Sequence, residues 1–283
     1  MSAVLAAPQA QSASRSRWAV LRRTPVSVII SVVFIALVVI ASVFPRLFTS
    51  WPSDIGVPRN KLARPSLEHW FGTDHLGRDL FSRVIHGAAS SVSSALVAVV
   101  IGLIIGGLLG LLAGYIGSWV DTTLSRFIDV LLAIPSFLLA IVIVSSLGVE
   151  TVNVASGTGV SAVASFGRGM RSEVLSVKHA PFIEFSETLD RARLHTMIAH
   201  VVPNASRSVL ALAVLNFGLS ILIIAGLSFL GYGDPPPASD WGLLVSEGKE
   251  YTTAPWLTFF PAIVIVATVL SVNRISRWIS NDA

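Results

Sequence analysis

The chain holds 283 residues, of which 53% are hydrophobic and only 13% charged. Soluble domains carry about 25% charged residues, so the composition excludes a cytosolic globular enzyme and a disordered chain and points to an integral membrane protein. The net charge of +4, from 20 basic and 16 acidic residues, fits cytoplasmic loop bias and anionic lipid contact rather than a nucleic-acid surface, since no basic stripe is interleaved with exposed aromatics.

Residues 1–24 predict a cytoplasmic tail, with Arg15, Arg17, Arg22 and Arg23 just before the first apolar run. Val26 to Phe44 is 19 residues without a charge, about 28 Å as a helix against a hydrocarbon core of about 30 Å. A secretory leader has a shorter apolar region of about 7–15 residues, so 25–45 is expected to be an uncleaved first span. Residues 46–87 follow as an extracytoplasmic loop. In it Asp74 and Arg78 are spaced for an i,i+4 pair. Together with Asp79 they either cap the second span or offer a contact on the outer face.

Residues 88–278 predict five further helices. Ala88 to Val120 is charge-free over 33 residues. Its Gly102, Gly106, Gly110 and Gly114 share one helix face, where a second helix can approach closely; that helix belongs either to this chain or to another subunit. Val130 to Val149 is a third run, with Pro135 in its first turns. Thr151 to Gly167 is uncharged but rich in Ser, Thr, Gly and Ala, and predicts a fourth span shielded from lipid by other helices. Ser208 to Gly233 and Tyr251 to Val272 are the fifth and sixth, and 279–283 close the chain as a tail. In the fifth run Asn216 and Ser220 either line a path or hydrogen-bond a neighbouring helix. Trp241 and Trp256 are expected at the membrane interface.

Six spans with both termini cytoplasmic place 13 basic residues inside and 7 outside. Five spans with the same start give 6 against 14, which breaks the positive-inside rule. The reading is therefore an all-α integral membrane protein with six transmembrane helices.

The long cytoplasmic loop, about 168–207, carries the most chemistry. Pro181 can start a helix at its first position. Phe182, Ile183, Phe185 and Leu189 then form an apolar patch beside Glu184, Glu187 and Asp190, with Ser186 between them. A short amphipathic helix of this kind suits docking into a groove on a partner. Catalytic and metal motifs are missing: no H-E-x-x-H, no two histidines three or four apart, no G-x-S-x-G. Gly248-Lys249 lacks the preceding P-loop glycine, and with no cysteine there is no thiolate chemistry. The expectation is no catalytic residue, no metal and no cofactor in this chain.

Three segments resemble one family. The loop from Glu184 to Pro203-Asn204 is similar to the E-A-A-x-x-x-G coupling loop of ABC importer permeases. Phe71-Gly-Thr-Asp74-His-Leu-Gly-Arg78-Asp79-Leu-Phe-Ser-Arg83 resembles the G-T-D-x-x-G-R-D segment of dipeptide and oligopeptide permeases. Arg126-Phe-Ile-Asp129 running to Pro135 resembles the entry to their third span. Phe185-Ser186 replace two alanines of the pattern, and Asp190 stands for its glycine. The resemblance, to the second permease subunit of such importers, covers roughly residues 20–275. It implies the type I ABC importer permease fold and a bacterial inner (cytoplasmic) membrane location. It also implies a homologous permease partner, two ABC ATPase subunits that bind ATP and Mg, an extracytoplasmic substrate-binding protein, and a peptide as substrate. Coupling to the ATPases would fall to Phe182–Asp190, and Asp74, Arg78 and Asp79 would meet the binding protein or hold the outer face. Relatives of the same look carry nickel or other small solutes. The rival class is an ion-coupled secondary transporter, which usually places charges inside its spans; the clear spans here have none.

Overall fold

Pro25 opens the first helix of the structure, a computed structural model that describes residues 25–178 and 197–282. Helix α1, Val26–Val43, ends at Phe44, where Pro45 disfavours helical geometry in the residue before it. An irregular segment with two short 3₁₀ turns, Pro45–Leu47 and Pro58–Asn60, leads to α2, Leu80–Ile116. Its 37 residues make about 55 Å, well beyond a hydrocarbon core. The expected loop 46–87 is thus too long. Asp79 caps α2 by accepting from the Ser82 amide at 2.7 Å, and helix runs from Leu80 through the charged stretch that sequence alone left as loop.

Gly117, at φ +73°, stops α2 and starts α3, Ser118–Ala133. The expected third span Val130–Val149 is not one straight helix. Pro135 cannot donate a helical hydrogen bond and forces Ile134 out of helix, so the chain bends by 89° between α3 and α4, Ser136–Leu147. Helix α5, Thr151–Lys178, follows. A π turn, Met197–Val201, enters α6, Val202–Phe229. The short α7, Trp241–Gly248, and α8, Trp256–Asp282, complete the bundle. Four described stretches are long and apolar enough to cross a membrane, and the α3–α4 pair makes five if counted as one. Helix α5 is not among them, because its Gly, Ser and Thr residues lower its hydropathy.

That polarity has a packing reason. The glycine face of α2 lies against α5. A Cβ on Gly106 would stand 2.3 Å from the Val163 carbonyl oxygen, and one on Gly110 2.2 Å from the Gly167 oxygen. Gly102 faces Ala162 and Phe166, and Gly114 faces Val174. Backbone meets backbone along both helices, so both carry small residues. Two apolar clusters fill the bundle: one around Leu80, Val84, Val144, Ile221, Leu227 and Trp241, the other around Val99, Phe166, Met170, Val174 and Val201.

Candidate functional site

The end of the bundle carrying 44–79 and 230–255, expected outside the membrane, is closed by a buried polar cluster. It is built from the turn 72–79. Gly72 and Gly77 take φ near +76° and +77°, a conformation glycine adopts without steric cost. The Leu80 amide donates back to the Gly72 carbonyl at 3.0 Å, and the Asp74 amide to the Arg78 carbonyl at 3.0 Å. Asp74 Oδ1 accepts from the Leu76 and Arg78 amides at 2.8 and 2.9 Å. The Thr73 hydroxyl donates to the Asn60 carbonyl and accepts from the Ala63 amide.

Arginine side chains then tie this turn to distant helices. Arg78 Nε donates to Asp74 Oδ2 at 2.6 Å. Arg83, one turn into α2, donates to the same oxygen at 3.0 Å and to Glu247 Oε2 on α7 at 2.5 Å. Its other nitrogen reaches the Ala238 carbonyl at 3.0 Å. Asp79 also pairs through Oδ1 with His69 Nδ1 at 2.8 Å. Arg78 is 2% exposed and Arg83 0%. Burial alone would raise the pKa of Asp74, but hydrogen bonds from the Arg78 amide and guanidinium, and the charges of Arg78 and Arg83, hold it below the ordinary carboxylate value.

Asp74, Arg78 and Asp79, singled out by sequence, are therefore brought together. They lie inside the cap, and in this conformation present no surface of their own. Arg83 as a site residue, Glu247 and His69 were missed. Arg83 closes the recognisable motif, but nothing local marks Glu247 or His69 as its neighbours. Asp74, His75 and Glu247 bring ligand atoms within 4.8 Å of one another; the guanidinium groups of Arg78 and Arg83 already supply the positive charge there.

A second contact at this end joins α5 to the Gly231–Pro237 turn. Asp234 accepts from the Thr151 amide at 3.0 Å and from its hydroxyl, satisfying an orphan donor at the helix start. Asp240 caps α7 through the Gly242 and Leu243 amides at 2.9 and 3.2 Å. Burial, its largest influence, raises its pKa; hydrogen bonds from Leu243, Ser228 and Gly242 oppose this, and the nearby Asp234 charge adds to it. Trp241 is not an interface residue. It is 1% exposed, with its indole N–H donating to the Val84 carbonyl at 2.9 Å. Trp256 is half-buried beside Gly72.

At the opposite, basic end, Arg171 holds Asp121 of α3 bidentately at 2.5 and 2.8 Å. Arg168 reaches Asp129 at 2.7 Å, and Lys178 donates to the Tyr115 carbonyl at 2.9 Å. The expected coupling segment Phe182, Ile183, Glu184, Phe185, Ser186, Glu187, Leu189 and Asp190 lies outside the described residues, as does the whole of the 1–24 tail with its arginines. Asn216 and Ser220 are buried among this chain's own helices, and Asn216 donates back to the Leu212 carbonyl at 3.0 Å.

Residues 106–282 match the family model for binding-protein-dependent transport system inner membrane components. The chain is 37% identical over 248 residues to the dipeptide transport system permease protein DppC of Alkalihalophilus pseudofirmus, covering 87% of this chain and 82% of that one. It is 38% identical over 261 residues to the glutathione transport system permease protein GsiD of Salmonella typhimurium, covering 92% and 86%. The inward-facing MetNI methionine ABC transporter aligns with a TM-score of 0.55 at 16% identity, over 70% of this chain and 96% of that one. A crystal structure of an amino acid ABC transporter with histidines aligns at 0.54 and 18% identity, over 71% and 92%. These structures share the fold.

Proposed function

The chain belongs to the family of binding-protein-dependent transport system inner membrane components, a bacterial ABC importer permease, and on that premise we propose that it carries dipeptides or other short peptides. The observation that supports this substrate class is the 37% identity to a dipeptide permease over 87% of the chain. The similarity to a glutathione permease keeps the same class, since glutathione is a tripeptide.

In this reading the chain pairs with a homologous permease and encloses half of the translocation path. Two ABC ATPase subunits, which hold ATP and Mg, dock on the 182–190 segment. An extracytoplasmic binding protein delivers the peptide to the outer face. Helices α2 and α5 pack backbone to backbone, so a push on the segment after Lys178 moves both as one body, a rigid-body transition between inward-open and outward-open states. The Arg171–Asp121 pair carries α3 along. The outer cluster around Arg83 keeps the cap joined to α2 during that motion.

The test is uptake of a labelled dipeptide, and separately of glutathione, by cells depleted of and then resupplied with this chain, beside a pull-down from native membranes. A P-loop ATPase and a second permease are expected with the wild type, and Glu184→Arg is expected to lose the ATPase. Uptake of neither peptide, with import of another solute restored, would overturn the substrate reading. Recovery of the chain without any ATPase would overturn the assembly.

A further inference from the structure

Where the chain leaves α1 and approaches α2 it folds around a polar pocket of about 580 Å³, lined by Arg46, Thr49, Ser50, Trp51, Asp54 and His86 among others. Its volume lies within the range of small-ligand sites, about 300–1,000 Å³. Hydrogen bonds build it in advance of any ligand. The Ser82 hydroxyl on α2 donates to the Trp51 carbonyl at 2.6 Å, and the Thr49 hydroxyl accepts from the Trp51 amide at 3.1 Å. One turn further along α2, His86 Nδ1 donates to the Ser82 carbonyl at 2.9 Å, which leaves Nε2 as the ring's open acceptor. Arg46 and Asp54 are exposed, and among the described residues neither enters an ion pair.

The two flanking helices fix the depth of this pocket in a bilayer. The charge-free run of α1 ends at Phe44, just before Arg46, and that of α2 begins at Ala88, just after His86. Both helices are long and apolar enough to span. Two apolar runs thus stop at the same pocket, which sets it where hydrocarbon gives way to headgroups. Leu47 is 74% exposed and Trp51 38%, an apolar edge of the kind that sits at a membrane interface.

We propose that this pocket binds the headgroup of one zwitterionic aminophospholipid, with its phosphate on Arg46 and its ammonium group on Asp54 and His86 Nε2. The guanidinium offers charge-assisted hydrogen bonds to phosphate oxygens. An anionic lipid without the ammonium would meet Arg46 equally well but leave Asp54 facing its negative charge, so the carboxylate does the discriminating. The site does not depend on which solute the chain carries.

The experiment places a photo-crosslinking benzoylphenylalanine at Pro52, an exposed lining position with no side-chain donor or acceptor. The assembled complex is reconstituted in vesicles of equal parts phosphatidylethanolamine and phosphatidylglycerol, and the adducts are identified by mass. Phosphatidylethanolamine adducts are expected to outnumber phosphatidylglycerol adducts several-fold. Arg46→Gln should lower the yield of both several-fold. Asp54→Asn should keep the yield and abolish the preference, a change that a misfolded pocket would not produce. An excess of unlabelled dipeptide should leave the adducts unchanged. Adducts in the bulk ratio would overturn the proposal, as would a crosslink to another protein in place of lipid, either variant without effect, or displacement by the dipeptide. Failure of the peptide reading alone alters none of these results.

Discussion

Arg83 and Glu247, 164 positions apart in the chain, meet at 2.5 Å inside the buried polar cluster that closes one end of the bundle. The contact joins the start of α2 to the short helix α7, and a second arginine and Asp74 complete it.

Removing one partner of such a pair leaves the other charge buried, at a cost of about 3–5 kcal/mol. Arg83→Met is therefore expected to lower the thermal midpoint of the purified protein sharply and to cut its yield in membranes. Pairing it with Glu247→Leu should recover part of the loss, because no carboxylate on α7 is then left without its cation. Equal damage from the single and double variants would sink the coupling argued for this pair.

Adjacent glycines on α2 should respond oppositely to one methyl group. At Gly106 the new Cβ stands 2.3 Å from a backbone oxygen of α5, whereas at Gly107 the nearest atom outside the local helix is 3.6 Å away. Gly106→Ala is expected to destabilise by about 1–3 kcal/mol through overpacking. Gly107→Ala gains about 0.5–1 kcal/mol of helix stability. Thermal unfolding of the two variants in the same detergent decides it.

Asp74 and Asp240 give opposite pH dependences. The pKa of Asp74 is lowered on folding, so its contribution is present above the unfolded value of 3.8 and lost as pH falls through the lower folded value. The pKa of Asp240 is raised, so ionising it costs stability as pH rises from 3.8 through the folded value. Asp240→Asn keeps a good cap and is expected to stabilise the protein at neutral pH. That advantage should fade as pH drops below the folded value, read as the difference in midpoint between variant and wild type across pH.

If residues 182–190 dock the ATPase as proposed, Phe185→Asp is expected to break that docking as fully as Glu184→Arg, because a charge would enter the apolar patch expected from the sequence. Binding-protein-stimulated ATP hydrolysis by the reconstituted complex should then fall to the basal rate, with the amount of permease in the membrane unchanged. Normal stimulation in both variants would remove residues 182–190 from the coupling role.

Membrane character, the helical class and the family resemblance were legible in the sequence, because hydropathy and short motifs are local properties of contiguous residues. The four glycines of α2 announced a close helix contact by their spacing alone. The Asp74–Arg78 pair and the cap at Asp79 were also within reach, since their partners lie within four residues. Pro135 was visible, but not the size of the bend it produces. That angle depends on where Ile128 and Ala140 find room against Gly167 and Gly157 of α5. Only the tertiary structure identified α5 as the neighbour of those glycines and buried Trp241. The tertiary structure also brought Glu247 to Arg83 and Asp234 to Thr151. Composition and periodicity record which groups a segment must hide from lipid or water. Which distant segment supplies the matching charge or carbonyl is decided by packing, where one arrangement satisfies most of the buried polar groups at once.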